Sequence, residues 1–410
     1  MKTDLDELMR TNDIDALLVT GPGQHNPALV YLTGGGHMTQ ADLIKKRGHP
    51  GILFHNSMER DEAAKSGLET RSYSNYPFME LLKETNQNRL QAIVLRYQKM
   101  LNDAGMTAGR IALYGRVDLE NGFATFKALQ EAMPALELVG YQDEDILLQA
   151  MATKDEQEIS RIRQMGKITT QVVASVADFL STRPVRNGIL LDPCGEPLTI
   201  AEVKSRINLW LAEAGAENPE GAIFAIGHDA GVPHSIGNPA DQLRLGQTIV
   251  FDIYPCEAGG GYFYDFTRSW CLGYAPDEAQ ALYENVLAVY QQIIAELKVN
   301  RLFKDYQLRT CELFEVQGHP TIKTNPETEA GYVHSLGHGV GLHIHERPFS
   351  GATATVSEIL APGSVITIEP GLYYPERGLG MRLEDTLWVR PDGNFEILAE
   401  YPLDLVIPVK

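Results

Sequence analysis

One histidine and four carboxylates in the carboxy-terminal half of this chain could form a catalytic centre. Asp252 and Asp265 flank the glycines at 259–261, His338 lies between two glycines in SLGHGVGLHIHERP, and Glu369 and Glu384 follow in ITIEPGLYY and GMRLEDTLWV. Two strands that return through a glycine turn can bring two carboxylates to one point. Glycines beside a histidine allow the backbone to approach a ligand closely. Taken singly, each residue is more typical of a turn or a surface ion pair.

Taken together, these five side chains form a hard, oxygen-rich ligand set that suits two divalent cations better than one. Four carboxylates would balance the charge of two such ions. A close pair of ions can activate a bridging hydroxide and stabilise a tetrahedral intermediate. Arg382 alternates with Met381 and Leu383 along a predicted strand, so that it shares a face with Glu384 and would keep that carboxylate ionised. The pattern predicts metal-assisted hydrolysis.

Composition restricts the classes of protein that fit. The chain has 410 residues, 44% of them apolar, and a formal net charge of −19, which argues against a nucleic-acid partner. The amino terminus, MKTDLDELMR, has acids where a secretory signal would be apolar, and no apolar run is long enough to cross a membrane. Cys194, Cys256, Cys271 and Cys311 lie far apart, as is typical of reduced thiols. We therefore expect a cytoplasmic protein.

The first 150 residues predict a smaller α/β domain with a parallel or mixed sheet, because short apolar runs alternate with helical stretches. Asn121–Met133 reads as a helix. The predicted strands are Asp15–Thr20, Val30–Gly36, Gly51–His55, Ala92–Leu95 and Ile111–Tyr114.

Residues 151–410 predict a second, α+β domain made of two similar halves. In each half, helices precede antiparallel strands that carry the candidate ligands. The predicted elements are the helices Lys154–Phe179, Ile200–Ala214, Asp277–Glu296 and Lys304–Gln317, and the strand Ala222–Ile226. Tyr254, Tyr262 and Tyr264 crowd the aspartate hairpin, where cross-strand packing is favoured over a role as a cleft wall.

Five short motifs, in this order over roughly residues 220–388, give the chain a resemblance to a known family. They are Pro233-His234, the FD and DFTR pair around Asp252 and Asp265, HSLGHGVGLHIHE, TIEPGLY and MRLEDT. The chain resembles the pita-bread metallopeptidases, the group of methionine aminopeptidase, aminopeptidase P and prolidase. The amino-terminal pattern DALLVT and VYLTGG resembles the creatinase-like domain of the same family.

The resemblance implies a role for each matching residue. Asp252 would hold one metal ion, His338 and Glu369 the other, and Asp265 and Glu384 would bridge both. Glu369 would also handle protons. His234 and His345 would polarise the scissile carbonyl, and His334 matches an additional histidine of the Xaa-Pro branch. We expect Mn²⁺, with Co²⁺, Zn²⁺ or Fe²⁺ as substitutes.

The resemblance also implies a reaction, and two departures from the family pattern bear on its substrate. Asp252 is followed by Ile253, Tyr254 and Pro255 instead of the usual Asp-x-Gly, and the aspartates are about two residues further apart than usual. The segment after His345 is short, and Arg347 is its one arginine that could recognise the free carboxylate of a dipeptide. We therefore expect an Xaa-Pro aminopeptidase that acts on peptides longer than two residues, and the resemblance implies a homodimer.

Two alternatives to the aminopeptidase remain open at this point. One is an Xaa-Pro dipeptidase, and the other is a non-catalytic peptide-binding module on the same fold. The presence of all five ligand residues disfavours the binding module, as it disfavours a metal-free amidinohydrolase like creatinase.

Overall fold

The computed structural model describes residues 4–141, 145–351, 354–355 and 357–409. The backbone divides into two compact units. The first comprises residues 1–151 with 259–261, and the second comprises residues 152–258 with 262–410. The change of pattern expected around residues 142–152 falls partly outside the described residues.

The first unit is built on a six-stranded mixed sheet with the strand order β4-β3-β2-β1-β5-β6. Strand β1 pairs antiparallel with β2 and parallel with β5, as expected for an α/β domain with a mixed sheet. Its elements are α1 (Leu5–Thr11), β1 (Ala16–Gly21), α2 (Pro27–Thr33), β2 (Ala41–Lys46), β3 (Gly51–His55), α3 (Arg60–Ala64), β4 (Glu69–Ser72), α4 (Phe78–Glu84), α5 (Arg89–Asp103), β5 (Gly109–Gly115), α6 (Leu119–Ala132), β6 (Leu136–Val139) and α7 (Ile146–Met151).

Two of the strands predicted for this unit are helices. The segment Val30–Gly36 belongs mostly to α2, which begins at Pro27 and is followed by Gly34 in the left-handed conformation. Both residues have strong helix-boundary preferences. Ala92–Leu95 lies inside α5, whose start is capped by the Asn88 side chain. In both cases a short apolar run does not distinguish a buried strand from the buried face of a helix.

The second unit carries helices followed by antiparallel strands, twice over, as expected. Its elements are α8 (Glu156–Ser181), β7 (Val185–Arg186), β8 (Ile189–Leu190), α9 (Ile200–Glu213), β9 (Ala216–Glu217), β10 (Ala222–Ile226), β11 (Thr248–Ile253), β12 (Cys256–Glu257), β13 (Phe266–Leu272), α10 (Asp277–Glu296), α11 (Phe303–Val316), β14 (Val365–Ile368), β15 (Gly371–Tyr374), β16 (Leu379–Arg382), β17 (Asp385–Val389), β18 (Phe395–Ile397) and β19 (Val406–Ile407).

Two helices of the second unit, α8 and α9, begin at side chains that satisfy free backbone N–H groups. Asp155 and Glu158 form a reciprocal capping box at the start of α8, and Thr199 and Glu202 form one at the start of α9. The apolar faces of α10 and α11 pack with the strands around Ile366 into one buried core. These helices therefore support the strands that carry the candidate ligands.

The main sheet of the second unit has the strand order β10-β11-β13-β19, and β11 and β13 are buried along their whole length. A second sheet has the order β14-β17-β18, and β15 pairs with β16 as a separate hairpin. Such fully buried strands place any polar side chain they carry in an environment where it needs a partner.

Candidate metal centre and its cleft

The two aspartates come from the β11–β13 pair of the main sheet. Asp252 lies in β11 opposite Thr267, and Asp265 immediately precedes β13. Both are buried, with exposed fractions of 9% and 4%. The antiparallel register therefore brings two carboxylates to one end of a buried hairpin.

His338 lies in the loop between α11 and β14, and its ring orientation is fixed by the backbone. Its Nδ1 donates a hydrogen bond to the Gly339 carbonyl oxygen at 3.0 Å. The opposite nitrogen, Nε2, lies 3.6 Å from Asp265 Oδ2 and 3.4 Å from Glu369 Oε1. A histidine held in this way presents the lone pair of Nε2 to a cation, as metal-binding histidines commonly do.

The two glutamates lie at strand ends. Glu369 follows β14, and its N–H donates to the Leu336 carbonyl at 2.8 Å. Glu384 lies between β16 and β17 and receives a hydrogen bond from the Thr267 hydroxyl at 2.6 Å. Each glutamate is thereby anchored by backbone or hydroxyl groups.

Two observations indicate that these donor atoms suit divalent cations. Oxygen atoms of Asp252, Asp265 and Glu384 are buried without a hydrogen-bond partner among the described residues. One ligand atom each from Asp265, His338 and Glu384 lie within 4.8 Å of one another. Buried carboxylate oxygens without partners are costly, and divalent cations would satisfy them.

The electrostatics of the cluster agree with this fit. Burial raises the pKa of Glu369 to about 8, although Arg382 acts in the opposite direction. Burial, followed by the charges of neighbouring carboxylates, raises the pKa of Asp265 and Glu384 well above the ordinary range. So many acids in one buried place repel one another unless positive charge is supplied.

Arg382 supplies one positive charge from the end of β16. Its guanidinium donates to Asp252 Oδ2 at 2.6 Å, to the Tyr373 hydroxyl at 2.6 Å and to the Thr267 hydroxyl at 3.2 Å. The sequence predicted that Arg382 would orient Glu384, whereas its ion pair is with Asp252. The strand ends at Arg382, so that strict alternation of faces does not continue to Glu384.

Tyr373 is a site residue that the sequence motifs did not indicate. Its hydroxyl accepts from Arg382 and donates to His334 Nε2 at 2.9 Å, while His334 Nδ1 donates to the Ser335 carbonyl at 2.7 Å. Burial, with the charge of Arg382, lowers the pKa of His334 to about 3, so this histidine is neutral. A side chain at Gly371 would meet the Tyr373 hydroxyl at 2.5 Å. Gly371 was the one feature of the sequence that could have indicated Tyr373, because it lies two residues before Tyr373 on the same face of the strand.

One cleft of about 340 Å³ in the second unit is lined by every predicted site residue. These are His234, Asp252, Asp265, His334, His338, His345, Glu369, Arg382 and Glu384. His234 and His345 are solvent-exposed, and the His345 ring lies 4.3 Å from that of His338 between centroids. Their individual roles stay predictions.

Further residues line the cleft that were not predicted to do so. Tyr254 and Glu220 line it, whereas the sequence favoured a packing role for Tyr254. Tyr262 and Tyr264 are buried, as expected for packing residues. Arg347 forms a salt bridge with Glu358 and is not among the residues that line the cleft.

A buried ion pair supports the loop that carries the cleft histidines. Lys154 Nζ lies 2.8 Å from Glu346 Oε2, and both side chains are almost completely buried. Glu346 Oε1 also accepts a hydrogen bond from the His343 N–H at 3.0 Å. A side chain at Gly341 would meet Glu346 Oε2 at 2.3 Å, which explains why this position has none. The glycines of the motif therefore make room for a carboxylate as well as for a ligand.

Each of the two units matches the model of a known protein family. Residues 160–391 match the model of metallopeptidase family M24, and residues 2–147 match the creatinase/prolidase amino-terminal domain. The chain belongs to metallopeptidase family M24. This membership confirms the resemblance read from the motifs, and it implies divalent metal ions as cofactors.

Curated relatives from bacteria and archaea are similar over different lengths. A putative dipeptidase of Bacillus subtilis (strain 168) is 31% identical over 267 residues, which cover 64% of this chain and 65% of the relative. That alignment therefore spans slightly less than two thirds of the relative. An Xaa-Pro dipeptidase of Pyrococcus horikoshii is 25% identical over 395 residues, covering 95% of this chain and 93% of the relative.

Solved structures show the same fold along nearly the whole chain. An X-Pro aminopeptidase from Thermotoga maritima MSB8 has a TM-score of 0.74 at 23% identity and covers 98% of this chain and 99% of its own. A dipeptidase from Pyrococcus horikoshii OT3 has a TM-score of 0.74 at 21% identity, with 98% of both chains covered. The expected fold, a pita-bread α+β domain preceded by a creatinase-like α/β domain, is confirmed.

Among the described residues, none of the helices combines the length and the apolar character needed to span a membrane. The four cysteines are free thiols. A cytoplasmic location and a homodimer stay predictions.

Proposed function

We propose that this protein is a dinuclear metal-dependent peptidase that cleaves the peptide bond preceding proline, with Mn²⁺ as its metal. The observation that carries the proposal is the donor set itself. Four carboxylates and one imidazole line a single cleft, and three of these carboxylates keep buried oxygens without partners in the described part of the chain. Membership of family M24 supports the hydrolytic assignment.

Asp252, Asp265, His338, Glu369 and Glu384 would hold the two ions. Bound there, the ions would supply Lewis-acid activation of water and of the substrate carbonyl. Arg382 orients Asp252 through the 2.6 Å contact between its guanidinium and the carboxylate. The Thr267 hydroxyl holds Glu384 in place at 2.6 Å. These contacts fix the donor atoms before any substrate binds.

Other cleft residues would act on the substrate itself. Glu369 would take a proton from the attacking water and deliver it to the departing proline nitrogen. His234 and His345, at the exposed part of the cleft, would donate hydrogen bonds to the scissile carbonyl oxygen as negative charge develops on it. Ile344 and Phe349 supply apolar surface suited to a proline ring, whose tertiary amide has no N–H to satisfy.

The length of the substrate separates two versions of this function. Among the described residues that line the cleft, Arg382 is the sole lysine or arginine, and it is paired with Asp252. Because Arg347 is paired with Glu358, the described part of this cleft offers no unpaired lysine or arginine to the free carboxylate of a dipeptide. We therefore propose an aminopeptidase acting on longer peptides. The names of the relatives favour the second candidate, an Xaa-Pro dipeptidase.

Mass spectrometry of peptide mixtures tests the proposal. Mn²⁺-loaded protein and a chelator-treated control would be incubated with Xaa-Pro dipeptides, Xaa-Pro-Yaa tripeptides and longer peptides with and without proline in second position. We expect chelator-sensitive loss of one residue ahead of proline from the tripeptides and longer peptides. Cleavage confined to dipeptides would favour the second candidate.

Variants make the test specific for the proposed ligands. Asp265→Ala and Glu384→Ala should abolish turnover, while Glu213→Ala, which removes an exposed acid at the end of α9, should retain it. Near-normal turnover by either ligand variant would contradict the metal assignment. Metal binding with no cleavage of any peptide would favour a binding role instead.

A further inference from the structure

Glu220 is a charged cleft residue to which the proposed reaction gives no role. It lies just before β10, whose first residue pairs with Ile253 at the end of β11, and it lines the cleft together with Tyr254. Its carboxylate is solvent-exposed and forms no ion pair or side-chain hydrogen bond with the described residues.

The cleft groups around Glu220 include the His345 ring as well as other acids, and none of these described groups forms an ion pair with Glu220. Asp252 is neutralised by Arg382, and the remaining cleft carboxylates belong to the proposed metal ligands. Lys204 of α9 lines a cavity together with Glu220, and its Nζ donates a hydrogen bond to the Ile236 carbonyl oxygen at 2.5 Å. Glu220 is therefore an acceptor at the cleft that is available to a substrate.

A smaller cavity of about 110 Å³ adjoins this part of the cleft, and Glu220 and Ile236 line both. Ile207 and Ala222 add apolar surface to the smaller cavity. Asn218 also lines it, and the Asn218 Oδ1 atom is buried without a hydrogen-bond partner in the described part of the chain. Apolar walls with unused acceptors suit a long aliphatic side chain that ends in a cation.

We propose that Glu220, Tyr254 and Asn218 form a subsite for a basic side chain of the peptide substrate. The methylene groups of a lysine or arginine would lie against Ile236 and the Tyr254 ring, and the ammonium or guanidinium group would reach Glu220 and Asn218 Oδ1. This inference rests on the proposed peptidase function and specifies its substrate class. Lys204, which lines the smaller cavity, weakens the preference because its charge repels the same group.

Steady-state kinetics with two matched peptides test the subsite. Lys-Pro-Ala and norleucine-Pro-Ala have first side chains of similar length that differ in the terminal charge. In a second pair, lysine or norleucine would stand directly after proline. The measured quantity is the ratio of kcat/KM for the lysine and norleucine peptides of each pair. We expect a ratio of about three- to tenfold in one pair, and a decrease of this ratio with added salt.

Comparing the pairs distinguishes a basic side chain from the α-ammonium group, because every peptide carries the α-ammonium group. Glu220→Gln should bring the lysine-to-norleucine ratio close to one while leaving turnover of the norleucine peptide nearly unchanged. Lys204→Met should raise the ratio. Glu213→Gln, which removes the same charge outside the cleft, should have no effect on it.

The possible failures are separable. If the wild-type protein cleaves none of the four peptides, the proposed peptidase function itself is contradicted. If it cleaves them with a ratio near one in each pair, or if Glu220→Gln leaves the ratio unchanged, the subsite is contradicted and the peptidase function stands. A Glu220→Gln variant that loses both peptides equally would indicate binding of the α-ammonium group, which also overturns the subsite.

Discussion

At the scale of single residues, the cleft is organised by a chain of hydrogen bonds that starts at Arg382. The guanidinium neutralises Asp252 on one side, and on the other side it donates to Tyr373, which in turn donates to His334. Each link fixes the donor and acceptor roles of the next. The tautomer of His334 is thereby linked to the charge of Asp252 through a single phenol.

Tyr373→Phe removes that phenol hydroxyl while keeping the ring. The His334 nitrogen would lose its donor in a buried place, which costs about 1–3 kcal/mol. We expect kcat/KM for an Xaa-Pro peptide to fall about tenfold, equivalent to about 1.4 kcal/mol. Tyr306→Phe is the matched control, since its hydroxyl contacts backbone outside the cleft. Equal losses in the two variants would contradict a specific role for Tyr373.

The predicted acids and histidines all line the cleft, and most of them lie in short motifs that contain a glycine or proline. The sequence did not locate Tyr373 or Glu220, and it did not predict the ion pair between Arg382 and Asp252. These three depend on which strands meet across the cleft, since Gly371 pairs with Arg382 and Ala222 with Ile253. Cross-strand register is a property of the fold that local patterns do not contain.

At the scale of elements, Lys154, which lies just before α8, fixes the loop between His338 and Glu346. Lys154 reaches Glu346, and Gly339 and Glu346 exchange backbone hydrogen bonds at 2.9 and 2.7 Å. Neither of these contacts could be read from the spacing of residues along the chain. The predicted helices were nevertheless close to the observed ones, because α8 and α9 have capping boxes and regular apolar faces.

Lys154→Met should destabilise the protein strongly, because it leaves the Glu346 carboxylate buried without a counter-ion. We expect a loss of about 3 kcal/mol or more in the free energy of unfolding, measured by urea denaturation. The double variant Lys154→Met/Glu346→Gln should recover part of this loss. Lys323→Met, which breaks exposed ion pairs, should cost less than about 1 kcal/mol. A Lys154→Met variant as stable as Lys323→Met would contradict this account.

A second element-scale prediction concerns His319, which connects α10 to β15. Its ring contacts Asn285 at 3.0 Å and the Tyr374 hydroxyl at 2.6 Å. Burial, with the charge of Arg377, lowers its pKa from 6.5, so the unfolded chain binds more protons than the native protein just below pH 6.5. Stability from this group is therefore present above pH 6.5 and lost as the pH falls.

Urea denaturation at pH 7.5 and pH 5.5 measures this contribution. We expect the free energy of unfolding to fall between these pH values by less in His319→Gln than in the wild-type protein. His49→Gln, which changes an exposed histidine, should behave like the wild type. A His319→Gln variant with the full wild-type pH dependence would show that His319 does not contribute.

At the scale of the whole molecule, the net charge of −19 and the buried carboxylates have the same effect on the binding of cations. Both favour cations, since self-repulsion among acids opposes the compact state. Neither the overall charge nor the apolar content identifies the cleft. The arrangement of the two family domains along the chain, however, was evident from the order of motifs.

Metal binding should stabilise the native protein. Mn²⁺ at about 100 times its dissociation constant should add about 2.7 kcal/mol if it binds the folded state alone. We expect a higher Tm by differential scanning calorimetry after addition of Mn²⁺, and reversal by a chelator. Asp265→Ala and Glu384→Ala should lose the shift, and Glu213→Ala should keep it. An identical shift in all variants would place the ions elsewhere.

The distribution of the ligands along the chain has a consequence for how the second unit holds together. Asp252 and Asp265 precede the exposed segment around Asn325, whereas His338, Glu369 and Glu384 follow it. Ions shared by both groups would act as a removable cross-link that closes a long loop of polypeptide. A chain nicked near Asn325 would then remain joined through its metal ions as well as its packing, and chelation would weaken the attachment of the two fragments.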